Sequence, residues 1–182
     1  EMCIRDRCFF SGKLEPDKIV VINLNPKYVE GLIEEEQEWA VRNYPSLLDF
    51  HENRFIAYRQ RNETLPATFR NMCKHIAGVN RFDELKRLGK IEDFLQKTVI
   101  DLDWCYYYSE SFGGNFGDEL NSRFENTLLY ALRCLKPKFI YVMGKEFERT
   151  NFITRNTTVD LHRPIRRVSI AGGRNLYMGY YG

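Results

Sequence analysis

The stretch "DKIVVINLNPKYVEG", residues 17–31, decides how the rest of the chain is read. Its apolar run, Ile19 to Ile22, does not alternate with polar residues, so it reads as a strand buried on both faces, as parallel sheets covered by helices require. The strand is predicted over Lys18 to Leu24, bounded by Pro16-Asp17 before it and Asn25-Pro26 after it. In open α/β sheets ligands gather at the carboxyl ends of strands. The polar residues where this run stops, Asn23 and Asn25, are therefore candidates for a site as well as for a turn.

Working outward, "TVIDLDW" predicts a second strand near Val99 to Leu102 and "KFIYVMG" a third. Between them, "DELNSRFENTLLYALRCLKP" carries Phe124, Leu128, Leu129, Leu132 and Leu135 at the spacing of one buried helical face, which predicts a helix over Leu120 to Leu135. Further helices are predicted over Ile33 to Asn43, from Thr64-Pro66 to Gly78, over Phe82 to Leu88, over Ile91 to Gln96 and over Lys145 to Phe152. The stretch "SLLDFHENRFIAYRQRNET" has no clean period and reads as an irregular excursion. Two last strands are predicted at Ile165 to Ala171 and Asn175 to Tyr180, joined through Gly172-Gly173. Strands alternating with helices imply an α/β fold: a three-layer α/β/α sandwich around a mostly parallel central sheet.

The chain has 182 residues, 43% of them hydrophobic, which suits one domain with a sizeable core. The expected domain spans residues 8–182. Residues 1–7, "EMCIRDR", have neither periodicity nor turn chemistry and resemble a translated sequencing adapter at the edge of a metagenomic fragment, so they are set aside as a non-native segment. No apolar run approaches the roughly 20 residues that a membrane-spanning helix needs. A cytoplasmic, monomeric protein with no membrane partner is the expectation.

The five cysteines are scattered, with no CxxC pair and no His at ligand spacing, so neither a metal nor another cofactor is expected. Net charge is only +2, but from Arg133 onward ten Lys or Arg face three acids, leaving about −5 on the rest. A basic last third suits a polyanionic partner such as a nucleic acid, with Lys145, Arg149, Arg166 and Arg167 as candidate phosphate contacts.

Three pieces together resemble the uracil-DNA glycosylase superfamily. "VVINLNPKY" is similar to the superfamily's first motif, "VIDLDWCYYY" stands where its second strand lies, and "LRCLKPKFIYVMGKEF" is close to its helix-LKPKVIVxLG-strand segment. The similarity spans roughly residues 18–147 and implies a uracil-DNA glycosylase-like fold. The implied activity is hydrolysis of the N-glycosidic bond of uracil or another modified base in DNA.

On that resemblance Asn25 positions the attacking water, Asp101 stands where an Asn reads the base edge, and Asn23, Pro26, Tyr28 and Asp103 line the base. Phe55 is the chosen stacking ring for an extruded base, among Phe50, Tyr58 and Tyr106 to Tyr108. Two departures are visible: Asn23 replaces the motif's first glycine, and no His-Pro-Ser follows the third strand. The leaving base would then lack a donor, which implies a poor glycosylase truncated at its carboxyl end. An ionised Asp101 cannot donate to a carbonyl of the base. The alternative is a non-catalytic nucleic-acid or nucleobase-binding module on the same fold. A hydrolase of small nucleotides is a third reading, weakened by the lack of a Walker-type loop.

Overall fold

The computed structural model describes residues 10–23, 32–104, 118–143, 166–170 and 174–180. They form an α/β fold with a six-stranded mixed sheet: β1 (Phe10–Ser11), β2 (Ile19–Asn23), β3 (Val99–Asp103), β4 (Phe139–Met143), β5 (Arg166–Ile170) and β6 (Arg174–Tyr180). The order across the sheet is β1-β3-β2-β4-β6-β5.

The central trio β3-β2-β4 is parallel, with Ile19 opposite both Val99 and Phe139. The outer pairings β1-β3, β4-β6 and β5-β6 are antiparallel. The expected mostly parallel sheet is thereby corrected to a mixed one. The physical reason for the last hairpin is the length of its connection: three residues between Ile170 and Arg174 can reverse the chain but cannot carry a parallel crossover.

Side-chain alternation along the central strands divides the core in two. Val20, Ile22, Ile100, Leu102, Ile140 and Val142 pack with Phe124, Leu128, Leu132 and Leu135 of helix α7 (Asp118–Leu135). On the opposite face Val21 and Val99 pack with Phe55, Leu65, Phe69, Met72, Leu85, Ile91 and Leu95. These come from α3 (Arg54–Gln60), α4 (Ala67–Ala77), α5 (Val79–Arg87), α6 (Ile91–Thr98) and the connection before α4. Helix α7 ends at Lys136, whose φ of 44° is the left-handed turn that closes a helix, and Pro137 prevents its continuation. Lys138 N–H then donates to the Lys18 carbonyl at 3.0 Å, which sets β4 beside β2.

Helix α1 (Leu32–Asn43) and α2 (Leu47–Glu52) complete the described helices, with Ala40, Phe50 and Ala57 in a small core between α1, α2 and α3. The segment expected to be irregular is therefore two short helices. Ser46 caps α2 by accepting from Asp49 N–H at 3.1 Å, and Asn53 both ends α2 and starts α3. Helices of six and seven residues are too short to show a period, and burial of Phe50, His51, Phe55 and Ala57 stabilises them.

Strand β1 docks on this unit through Gly12, whose N–H donates to the His51 carbonyl at 3.0 Å. Gly12 has φ 98°, and a Cβ there would lie 2.5 Å from the Val99 carbonyl oxygen, so only glycine fits. The predicted helix over Lys145 to Phe152 lies outside the described residues. No helix among the described residues is long and apolar enough to cross a membrane.

Candidate functional site

The register of the two central strands builds the site. Asn23, the last residue of β2, lies opposite Asp103, the last residue of β3. Asp101, two residues earlier on β3, lies opposite Val21 on one side and Ser11 of β1 on the other. Alternation puts Ser11, Asn23, Asp101 and Asp103 on the face that α3 to α6 cover, at the carboxyl end of the parallel strands. Asn23 Nδ2 donates to Asp101 Oδ1 in a short hydrogen bond. Asp101 is buried and Asp103 half-buried.

Over this row stands Arg54, at the start of α3. One arm of its guanidinium lies 3.5 Å from Ser11 Oγ, and Nη2 forks onto both carboxylate oxygens of Glu36 in α1 at 3.1 and 3.0 Å. Arg61 approaches the same carboxylate at 3.5 Å, pairs with Glu63 and lies over the Trp39 ring at 5.6 Å. The Arg54 Nε is enclosed and has no hydrogen-bond partner among the described residues.

The electrostatics follow from burial. Burial and the neighbouring Asp103 charge push the Asp101 carboxyl well above the ordinary carboxylate range, against the pull of Arg54 and the Asn23 hydrogen bond. Burial also raises Asp103, and Arg54 again opposes. Two carboxyls in this position hold a shared proton more readily than two separate charges. Glu36 is pushed up to about 7 by burial, with Arg61 drawing it back and Glu63 adding to the rise. Its forked pairing with Arg54 requires the ionised form, so that pairing strengthens as pH rises through neutrality.

A raised carboxyl makes folding less favourable as it is forced to ionise. Below about pH 4 Asp101 is protonated in folded and unfolded chains alike and imposes no cost. Above that the unfolded chain releases its proton first, and stability falls until the folded pKa is passed. Asp101→Asn keeps an acceptor for Asn23 and never ionises. Urea unfolding curves are expected to show the variant gaining on the wild type as pH goes from 4 to 8; a constant difference across that range would refute the raised Asp101.

Among the expected site residues, Asn23, Asp101 and Asp103 come together. Phe55 does not join them: it is fully buried against Phe69, with ring centroids 5.1 Å apart. The stacking role is corrected, because a ring enclosed on both sides by the core has no face to offer a base. Asn25, Pro26, Tyr28, Lys145 and Arg149 lie outside the described residues. Arg166 and Arg167 are on the edge strand β5, in register with Met178 and Tyr177.

The residues that sequence reasoning missed are Ser11, Glu36 and Arg54. Each is joined to the site only by tertiary contact, and the one local signal was the cap at Ser46 that announces the α2–α3 pair. His51 is also buried, with its Nδ1 unpartnered, and burial pushes its pKa down to about 4. It packs against the Phe10 and Phe50 rings, at 6.0 and 5.2 Å between centroids, as a neutral core residue. Among the described residues no group of three or more His, Cys, Asp or Glu is placed to hold a metal.

Comparison of the chain with protein-family models, with curated proteins and with solved structures finds no match.

Proposed function

We propose that this chain is a nucleobase-excising domain of the uracil-DNA glycosylase type, built as a three-layer α/β/α sandwich, that hydrolyses the N-glycosidic bond of uracil or another modified base in DNA. The observation that carries this reading is the hydrogen-bonded pair Asn23–Asp101, which joins the ends of two adjacent parallel strands at the rim from which residues 24–31 depart. Polar groups of that kind at strand carboxyl ends are where α/β sheets bind ligands.

Cleavage of the bond passes through an oxocarbenium-like sugar and needs a held water on one face and polar contacts to the departing base on the other. Asn25, two residues beyond Asn23 in the chain, is the residue proposed to hold the water. Asp101 and Asp103 contact the base. The raised pKa of Asp101 supports this assignment, because a neutral carboxyl can both donate and accept. The basic last third, including Lys145, Arg149, Arg166 and Arg167, is proposed to contact phosphates, with binding that weakens by a log–log salt slope of about 0.9 per duplex contact.

The test is single-turnover excision, which detects slow enzymes, on oligonucleotides carrying uracil or a modified purine. Asn25→Ala and Asp101→Ala are each expected to lower the rate by on the order of 10² to 10³. Salt-dependent DNA binding without excision of any base would replace this reading by the binding-module one. Absence of binding at low salt would remove DNA as the partner.

A further inference from the structure

We propose that the base accepted at this rim presents two adjacent N–H donors, as the N1–H and exocyclic amine of guanine do, and that uracil is disfavoured; the inference rests on the rim being a nucleobase site. It follows from which atoms are already committed. The Asn23 amide turns its nitrogen inward to Asp101. Because the amide is planar with its oxygen on the opposite arm, that bond turns Oδ1 away from Asp101.

Asp103 lies opposite Asn23 in register, one strand spacing of about 4.8 Å away. Among the described residues its half-buried carboxyl has neither a hydrogen bond nor an ion pair. Among the described residues the cation beside the row is committed: the Arg54 guanidinium serves Glu36 and Ser11, and its Nε is enclosed. Among the described residues, the side-chain groups at the end of this row that no hydrogen bond engages are the Asn23 amide oxygen, the second hydrogen of its Nδ2 and the Asp103 carboxyl, and the oxygen and the carboxylate are acceptors set side by side.

The complement of an acceptor pair is a donor pair. A carboxylate takes the N1–H and one amine hydrogen of guanine in two parallel charge-assisted bonds, as it takes the fork of an arginine. The second amine hydrogen is left for Asn23 Oδ1. Uracil has one N–H flanked by two carbonyl oxygens, so it satisfies one bond and turns lone pairs toward the carboxylate. A site committed to hydrogen bonding discriminates strongly against a partner that leaves its buried polar groups unpaired. A modified purine that keeps the guanine edge therefore fits this rim better than a pyrimidine with two carbonyls.

The experiment is titration of the whole chain with guanosine and with uridine, followed by calorimetry or NMR shifts, on wild type and on Asp103→Asn. Guanosine is expected to bind at least about tenfold more tightly than uridine. Asp103→Asn replaces an acceptor by an N–H donor and is expected to shift that ratio at least about tenfold toward uridine; Asp103→Ser, which tests the same carboxylate should the amide variant not fold, is expected to bring it near unity.

Equal affinity or a preference for uridine in the wild type overturns the inference. So does a ratio unmoved by both substitutions. Binding of neither nucleoside overturns the nucleobase site together with this inference. Guanosine binding in a chain that excises no base leaves the inference standing and overturns only the hydrolytic reading.

Discussion

Arg54→Ala is expected to destabilise the protein by about 3–5 kcal/mol, the cost of breaking a buried, forked ion pair by removing one side of it. Arg54 and Glu36 are 12% and 13% exposed, and their fork of 3.0 and 3.1 Å ties α1 to α3. Removing the guanidinium takes this fork from Glu36 and leaves the longer contact with Arg61, at 3.5 Å. It also removes a cation that opposes the rise of both Asp101 and Asp103.

The loss should grow with pH. Glu36 and Asp103 are each raised to about 7 and Asp101 is raised as well, so near pH 5 most of the charge that Arg54 neutralises is absent, and by pH 8 that of Glu36 and Asp103 has appeared. Arg54→Lys keeps the charge but not the fork, and is expected to fall between wild type and Arg54→Ala. Adding Glu36→Gln to Arg54→Ala should recover part of the loss, because the buried carboxylate that lost its fork no longer carries a charge. Urea unfolding of the four proteins measures all of this. A cost below about 1 kcal/mol, typical of an exposed pair, would show that Arg54 does not anchor the site.

None of this network was legible in the sequence, and the contrast with what was legible has a physical basis. Strands β2, β3 and β4 announce themselves because a continuous apolar run can be buried only between two covered faces. Helix α7 does so because Phe124, Leu128, Leu132 and Leu135 repeat at helical spacing. The rim residues Asn23, Asp101 and Asp103 were readable because a strand's alternation and the point where its apolar run stops are local properties, and the carboxyl ends of parallel strands lie on one edge of the sheet. Strand β1 is two residues long and exists only through its pairing with β3, a partner about 90 positions away. Pairing at that range leaves no local trace. Arg54 and Glu36 belong to the same category. An arginine inside "FHENRFIAYRQR" looks like solvent-facing charge until α2 and α3 fold it inward over the sheet.

Phe55→Ala separates a core ring from a ligand-stacking one, and it is expected to cost about 3–5 kcal/mol. Phe55 is fully buried, lies edge-on to Phe69 at 80°, and packs in one cluster with Val21, Leu65, Leu95 and Val99. A Cβ built on Gly12 would come within 3.0 Å of the ring's edge, which shows how closely β1 is seated against it. Truncation leaves a cavity that this surround cannot fill, since the strands are held by their register and Gly12 by its bond to His51.

A ring that stacked a base would behave in the opposite way. It would keep one face open in the free protein, its loss would cost about 1 kcal/mol of stability or less, and the damage would appear in ligand affinity. Unfolding in urea with an unchanged m-value reports the stability term. Phe55→Leu, which retains most of the buried volume, is expected to recover the greater part of it. If Phe55→Ala proved nearly as stable as wild type yet lost affinity for guanosine, the ring would belong to the site after all, and the sheet face beneath α3 would have to open when ligand binds.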